Sequence, residues 1–330
     1  MLNPKAHLSK TIFTEPEMVP IRNGYGTGLV KAGERDSNVV ALCADLTEST
    51  RTAEFRDKFP ERFFEIGVAE QNLAAVASGL GVEGKIAFIT SYATFSPGRN
   101  WEQIRTTICY NDSNVKIAGS HAGISVGPDG ATHQPIEDIA TMRVIPRMKV
   151  FVPCDHLEAE RATLASTHIW GPVYIRLARE KTPVVTTSET PFIPGKAQLF
   201  WQTTKPEVLI IAAGPLMYEA LVAAHDLEQH NKIKTLVLNV PSVKPIDEVT
   251  IATLAKRCGT VVTVEEHSVI GGLGGAVAEV LAKKAPTPIE FVGMQDTFGE
   301  SGPPNALLAK YGMDVKAVKH AVKQVLKRRR

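Results

Sequence analysis

The sequence predicts an α/β protein of two domains, each built on a mostly parallel sheet flanked by helices. Three observations predict it. Short β-branched runs alternate with stretches of helical period, the pattern of βα units. A stretch rich in proline and threonine at 181–206 interrupts that alternation, which then resumes to the end of the chain. The length of 330 residues is about twice that of a usual single domain. The boundary is placed to give domains 1–190 and 191–330.

In the first domain the strand candidates are 39–43, 86–90, 115–119, 150–153 and 173–177. Between the first two, Leu73, Val76, Ala77 and Leu80 recur at helical spacing, predicting a helix that buries this stripe and ends at Gly81 as its cap. The stretch 181–206 reads as a linker. Strands at 208–213, 235–240 and 260–265 follow, with helices after Pro215 and from Asp247. Val315, Val318, Val322 and Val325, with Asp314 as N-cap, predict a final amphipathic helix running into the basic residues 327–330, a solvated end.

Composition excludes several classes. The formal net charge is +2, from 37 Lys+Arg against 35 Asp+Glu, so no polyanion such as nucleic acid is implied as partner. A 44% hydrophobic share suits a globular core without metal or disulfide staples. Cys43, Cys109, Cys154 and Cys258 form no CxxC pair, which fits a reducing cytoplasm. No run of 18 apolar residues and no apolar leader appears, so neither a membrane partner nor processing is expected.

Two glycine patterns are weak. Gly79, Gly81 and Gly84 spell G-x-G-x-x-G, but they follow a helix and lead into a strand, the reverse of a dinucleotide loop. Gly271, Gly272, Gly274 and Gly275 stand between a strand and a helix. They serve either to receive an anion on backbone N–H groups or to pack the helix closely.

Three segments carry chemistry. Gly119 to Gln134, GSHAGISVGPDGATHQ, holds His121, Asp129 and His133 after a strand, where α/β sheets build their sites. A plain solvent turn is the alternative reading, and no further Cys or His completes a metal site. In Glu65 to Asn72, EIGVAEQN, Glu70 opens a helix, either to complement the helix dipole or to face a cofactor nitrogen. In Ser91 to Arg105, Tyr92, Phe95 and Trp101 flank a Ser-Pro-Gly helix start, as core aromatics or as walls for a planar heterocycle.

Together these segments resemble the C-terminal half of transketolase, a thiamine diphosphate enzyme. CADLTES, FFEIGVAEQN, the aromatic segment, GPDGATHQPIED, VPCD and IRLARE fall in family order. The resemblance implies a pyrimidine-binding domain followed by the transketolase C-terminal domain, and reversible transfer of a two-carbon ketol unit from a ketose phosphate to an aldose phosphate. It implies that Glu70 bonds N1′ of the cofactor's aminopyrimidine, that Phe95 stacks on that ring with Trp101 near, and that Asp45 lies close to the cofactor. His133 and Asp129 would contact substrate hydroxyls near the reacting carbons, and His121 would lie farther along the sugar. Arg22, Ser49 and Arg179 would receive its phosphate.

The sequence departs from the family where Gly98 replaces a common aromatic, and in having no Gly-Asp-Gly motif. That motif belongs to the module that holds Mg²⁺ and the diphosphate. The expectation is therefore one subunit of a split enzyme. It would share thiamine diphosphate and Mg²⁺ with a separate N-terminal subunit, and self-associate into a heterotetramer of two plus two. The competing readings are a 2-oxo acid dehydrogenase β subunit, the C-terminal half of deoxyxylulose-phosphate synthase, and a non-catalytic regulatory homologue.

Overall fold

In the computed structural model, which describes residues 1–329, two sheets organise the chain. The larger has seven strands in the order Ser242–Lys244, Lys149–Phe151, Val173–Arg176, Val115–Ser120, Ile86–Tyr92, Val39–Cys43 and Phe63–Glu65. All pair in parallel except the Ser242 edge strand. The smaller has five, in the order Ile289–Met294, Val261–Ser268, Val208–Ala212, Thr235–Asn239 and Gln198–Trp201, of which only the last is antiparallel. Val39–Cys43 and Val208–Ala212 are buried at every position. Continuous apolar runs of this kind are what strands covered by helices on both faces require. The strands expected from the sequence all form, within a few residues of their predicted ends.

The helix expected around Leu73 forms as Glu70–Val82, but its details differ. Leu73 and Ala77 are buried as predicted, whereas Val76 is exposed and the inner face is completed by Ala74, Ser78 and Gly81. Gly81 is not the cap: it lies inside the helix, and a side chain there would overlap Ser113 Oγ. The turn that ends the helix falls at Glu83 and Gly84, the latter at φ +90°.

The predicted linker is also more ordered than its composition suggests. Lys181–Pro183 pairs with Met18–Pro20, Gln198–Trp201 joins the smaller sheet, and Thr182, Thr186 and Thr190 are buried. Asp155 accounts for part of this, accepting from the backbone N–H groups of Val185 and Thr186.

Asp247 and Asp314 cap their helices as expected, accepting from Thr250 N and Ala317 N. At the C-terminus Lys327, Arg328 and Arg329 are exposed, as expected of a solvated end, with Arg328 and Arg329 forming surface ion pairs to Glu290 and Glu207. Arg330 lies outside the described residues.

The two sheets are joined by a buried polar network. Asp138 accepts from Arg176 Nε at 2.8 Å and from the Tyr174 hydroxyl at 2.7 Å, and Arg176 Nη2 donates to Glu266 O. His267 Nε2 accepts from Ile139 N, and its Nδ1 faces Ser268 O at 2.7 Å, so the ring is neutral with the proton on Nδ1. Burial moves the His267 imidazole down to about 4. Glu265 resolves the Gly271–Gly275 question. Its carboxylate accepts from Leu273 N and Gly274 N, so the anion at this helix start is the chain's own side chain.

Candidate active site

Parallel sheets place ligands beyond the carboxyl ends of their strands. The expected site residues follow that rule in the larger sheet. Asp45 follows Val39–Cys43, Tyr92 ends Ile86–Tyr92, His121 follows Val115–Ser120, and Arg179 follows Val173–Arg176. Glu70 begins the helix that returns from the Phe63–Glu65 edge.

One cluster gathers Arg22, Ser49 and His121. Ile21, Tyr25 and Leu29 bury the helix Ile21–Arg35 against the sheet, and the Tyr25 hydroxyl meets Thr90 Oγ1 at 2.6 Å. This presents Arg22 at the strand ends. Its Nη1 donates to Ser49 O at 2.6 Å and to His121 Nε2 at 3.1 Å. Arginine only donates, so Nε2 carries a lone pair and Nδ1 directs its proton to Ser120 Oγ, 2.9 Å away. Burial, then the charges of Arg22 and Arg179, push the His121 imidazole down to about 2. Burial and the like charges of Arg51 and Arg179 also lower the Arg22 guanidinium.

Three arginines thus share one region. Arg179 is oriented by Val126 O and Glu180, and Arg51 by Asn23. Planar forks in this number suit a phosphate. Sequence reasoning missed Arg51, which sits two residues after Ser49 at φ +66°.

A second cluster holds Glu70 and Phe95. The Glu70 side chain is 4% exposed, and Asn100 Nδ2 donates to Glu70 O, tying the helix start to the aromatic segment. Arg99, also missed from the sequence, reaches both Glu70 oxygens at 3.3 Å and lies over the Phe95 ring, with Cζ 4.1 Å from its centroid. Gly98 accommodates this turn, because a side chain there would overlap Thr94 O.

Tyr92 links the clusters. Its ring stacks on His121 with centroids 3.7 Å apart and lies near-parallel to Phe95 at 6.0 Å. His133 meets Phe95 edge-on at 5.3 Å, with Nδ1 near Thr132 Oγ1. The remaining expected residues stand apart. Asp129 is exposed, and no hydrogen bond to its side chain is present among the described residues. The Trp101 indole donates to Thr141 O and its ring packs on the core. Asp45 is exposed at φ +58°, and its N–H donates to Glu65 Oε1 at 2.7 Å. Glu65 also accepts from Gly67 N and Thr47 Oγ1, so it anchors the Asp45 loop. It lies in the same FFEIGVAEQN segment that drew attention to Glu70.

A helix-start carboxylate beside an aromatic face and a cluster of arginines thus lie along the carboxyl edge of the larger sheet. Residues 17–184 match the transketolase pyrimidine binding domain and residues 195–318 the transketolase C-terminal domain. The chain belongs to the transketolase family. It is 42% identical to a transketolase C-terminal section of Methanocaldococcus jannaschii, over 93% of this chain and 96% of that protein. It is 38% identical to a 6-deoxy-6-sulfo-D-fructose transketolase subunit of Clostridium sp., covering 94% and 95%. Among solved structures, an inactive β4 tetramer of a split-gene transketolase superposes with TM-score 0.88 at 46% identity, over 94% of this chain and all of that one. Transketolase from Leishmania mexicana gives 0.80 at 25% identity, with this chain spanning 47% of its length.

Proposed function

We propose that this chain is the C-terminal subunit of a two-polypeptide transketolase, transferring a two-carbon ketol unit from a ketose phosphate to an aldose phosphate. The observation that carries the reading is the sheet edge itself. Glu70 and Phe95 form a seat for an aminopyrimidine, and Arg22, Arg51 and Arg179 form an anion site. The stacked Tyr92–His121 pair spans the interval between them.

Two contacts support a seat for the aminopyrimidine part of thiamine diphosphate. A planar N–H-bearing group, the Arg99 guanidinium, already stacks on Phe95 while bonding Glu70, which is the pair of contacts an aminopyrimidine needs. When bound, the cofactor supplies a thiazolium carbon nucleophile and an electron sink for carbon–carbon cleavage. The protein's part is to hold and orient. Glu70 bonds N1′ and sets the tautomer of the ring, and Phe95 fixes its plane. His133, at the edge of Phe95, receives the substrate hydroxyls with Asp129. His121, held neutral, offers its ring face and the Arg22 bond along the sugar, while Arg22, Ser49 and Arg179 take the phosphate.

The N-terminal partner holds Mg²⁺ and the diphosphate. Among the described residues of this chain no three His, Cys, Asp or Glu side chains are grouped to hold a metal ion. Phe64 and Val68, before the Glu70 helix, and Val76, on it, are exposed, and they supply apolar surface for pairing of two copies in a two-plus-two assembly. No helix among the described residues is long and apolar enough to cross a membrane. We place the enzyme in the cytoplasm, where its four free, buried cysteines stay reduced.

The test is a donor screen on the assembled complex. Turnover of xylulose 5-phosphate with an aldose phosphate acceptor, abolished by Glu70→Ala, is the expected result. Pyruvate decarboxylation in its place, or unchanged turnover in the Glu70→Ala variant, overturns the reading.

A further inference from the structure

Arg99 does something the ketol-transfer reading leaves unassigned. Its guanidinium lies over Phe95 with Cζ 4.1 Å from the ring centroid, and Nη1 is 3.3 Å from both oxygens of Glu70. Those are the two surfaces on which the aminopyrimidine must sit. A guanidinium is flat, stacks on aromatic faces and donates N–H groups in its own plane, so it satisfies a buried carboxylate and an open ring face together. Glu70 is 4% exposed, and among the described residues no other side chain donates to its carboxylate. Without Arg99 that carboxylate would be buried and unpaired.

We propose that Arg99 is an internal occupant of the aminopyrimidine seat, and that it sets cofactor affinity by having to leave before the ring can enter. The inference rests on the assignment of Glu70 and Phe95 to that seat. Three features make the exchange feasible. The Arg99 side chain is 52% exposed, so its path out leads to solvent rather than through the core. Its neighbour is Gly98, where no side chain can stand because it would overlap Thr94 O, so nothing at that position walls the guanidinium in. The Glu70 backbone is held independently by Asn100 Nδ2 at 3.0 Å, so the carboxylate keeps its place when its partner changes. Arg99 in this account is a positioning residue. It keeps Glu70 oriented in the cofactor-free subunit and yields it to N1′ when the ring arrives.

The experiment is calorimetric titration of thiamine diphosphate, with Mg²⁺ in excess, into the complex of this chain with its N-terminal subunit. Arg99→Met keeps bulk and removes both the charge and the donors, and about tenfold tighter binding is expected, as an ion pair with a half-exposed partner no longer has to be broken. Arg99→Lys, which keeps the charge but not the planar fork, should bind with an affinity between the two. Phe95→Ala separates the two layers of the argument. If it weakens binding and Arg99→Met does not tighten it, the Arg99 proposal alone falls. If Phe95→Ala leaves binding unchanged, the assignment of the seat falls and takes the proposal with it.

Discussion

Arg22 donates through one nitrogen, Nη1, to both His121 Nε2 and Ser49 O, at 3.1 and 2.6 Å. The contact joins the first helix of the chain to the Asp45–Ser49 loop and to the histidine loop, so three segments distant in sequence are locked at one sheet edge. It also decides the chemistry of His121, whose Nε2 lone pair is committed to a cation.

From this follows a neutral His121 throughout the working pH range. Burial, with the neighbouring arginine charges, holds its imidazole down at about 2. In a proton NMR titration its C2–H signal is expected to stay flat from about pH 5 to 9, far above that midpoint. In Arg22→Gln, which removes one of those charges, the midpoint moves upward. A wild-type inflection near the ordinary value of 6.5 contradicts the assignment.

Arg22→Gln should also raise KM for phosphorylated sugars by about tenfold to a hundredfold, the worth of a charge-assisted hydrogen bond to phosphate. Turnover at saturation should change little, because Arg22 lies at the arginine end of the site rather than beside Glu70. Steady-state kinetics with a phosphorylated and an unphosphorylated donor measures this. An equal loss for both donors removes the phosphate assignment.

The Asp138–Arg176 pair is almost wholly buried, at 1% and 2% side-chain exposure. Burial opposes the Asp138 charge, but Arg176 beside it holds the carboxyl below its usual value. Arg176→Met leaves that charge unpaired where the two sheets meet, with an expected loss of roughly 3–5 kcal/mol in denaturant unfolding. A double variant with Asp138→Leu should recover a large part of it. Equal destabilisation of single and double variants is the contrary outcome.

His267 makes a prediction with a definite sign. Its imidazole is moved down from 6.5 to about 4 by burial, so folding favours the neutral ring. That stability is fully present above pH 6.5 and is lost as pH falls toward 4, reaching at most about 3 kcal/mol. Glu158 and Glu265 act in the opposite direction. Burial raises each carboxyl to about 7, so acidification from pH 7 to 4.5 relieves them. The wild-type curve mixes both effects. The stability of wild type minus that of His267→Gln isolates the histidine, and it should shrink as pH falls from 6.5 toward 4. A difference independent of pH rules this out.

The strands and the clustered part of the candidate site are legible in the sequence because their signals are local. Val39–Cys43 is a continuous apolar run, and Glu70 and the His121–His133 loop sit in compact motifs. What it does not show depends on packing at a distance. Gly81 looks like a cap because glycine commonly ends helices, yet here it makes room for Ser113, which arrives from another part of the chain. Arg99 reads as an ordinary exposed residue of a helix start until the fold sets Phe95 and Glu70 on either side of it. Thr186 and Thr190 give the 181–206 stretch a linker's composition, and only the buried carboxylate of Asp155 and the carbonyl of His7 show where their polar groups go.

In the proposed enzyme this chain supplies one side of a shared active site. The most direct measurement is a ketol-transfer assay with thiamine diphosphate and Mg²⁺, run on the purified chain, on its N-terminal partner and on the mixture. Turnover in the mixture alone, rising to saturation at equimolar subunits, is the predicted result. Sustained turnover by this chain without the partner would contradict it.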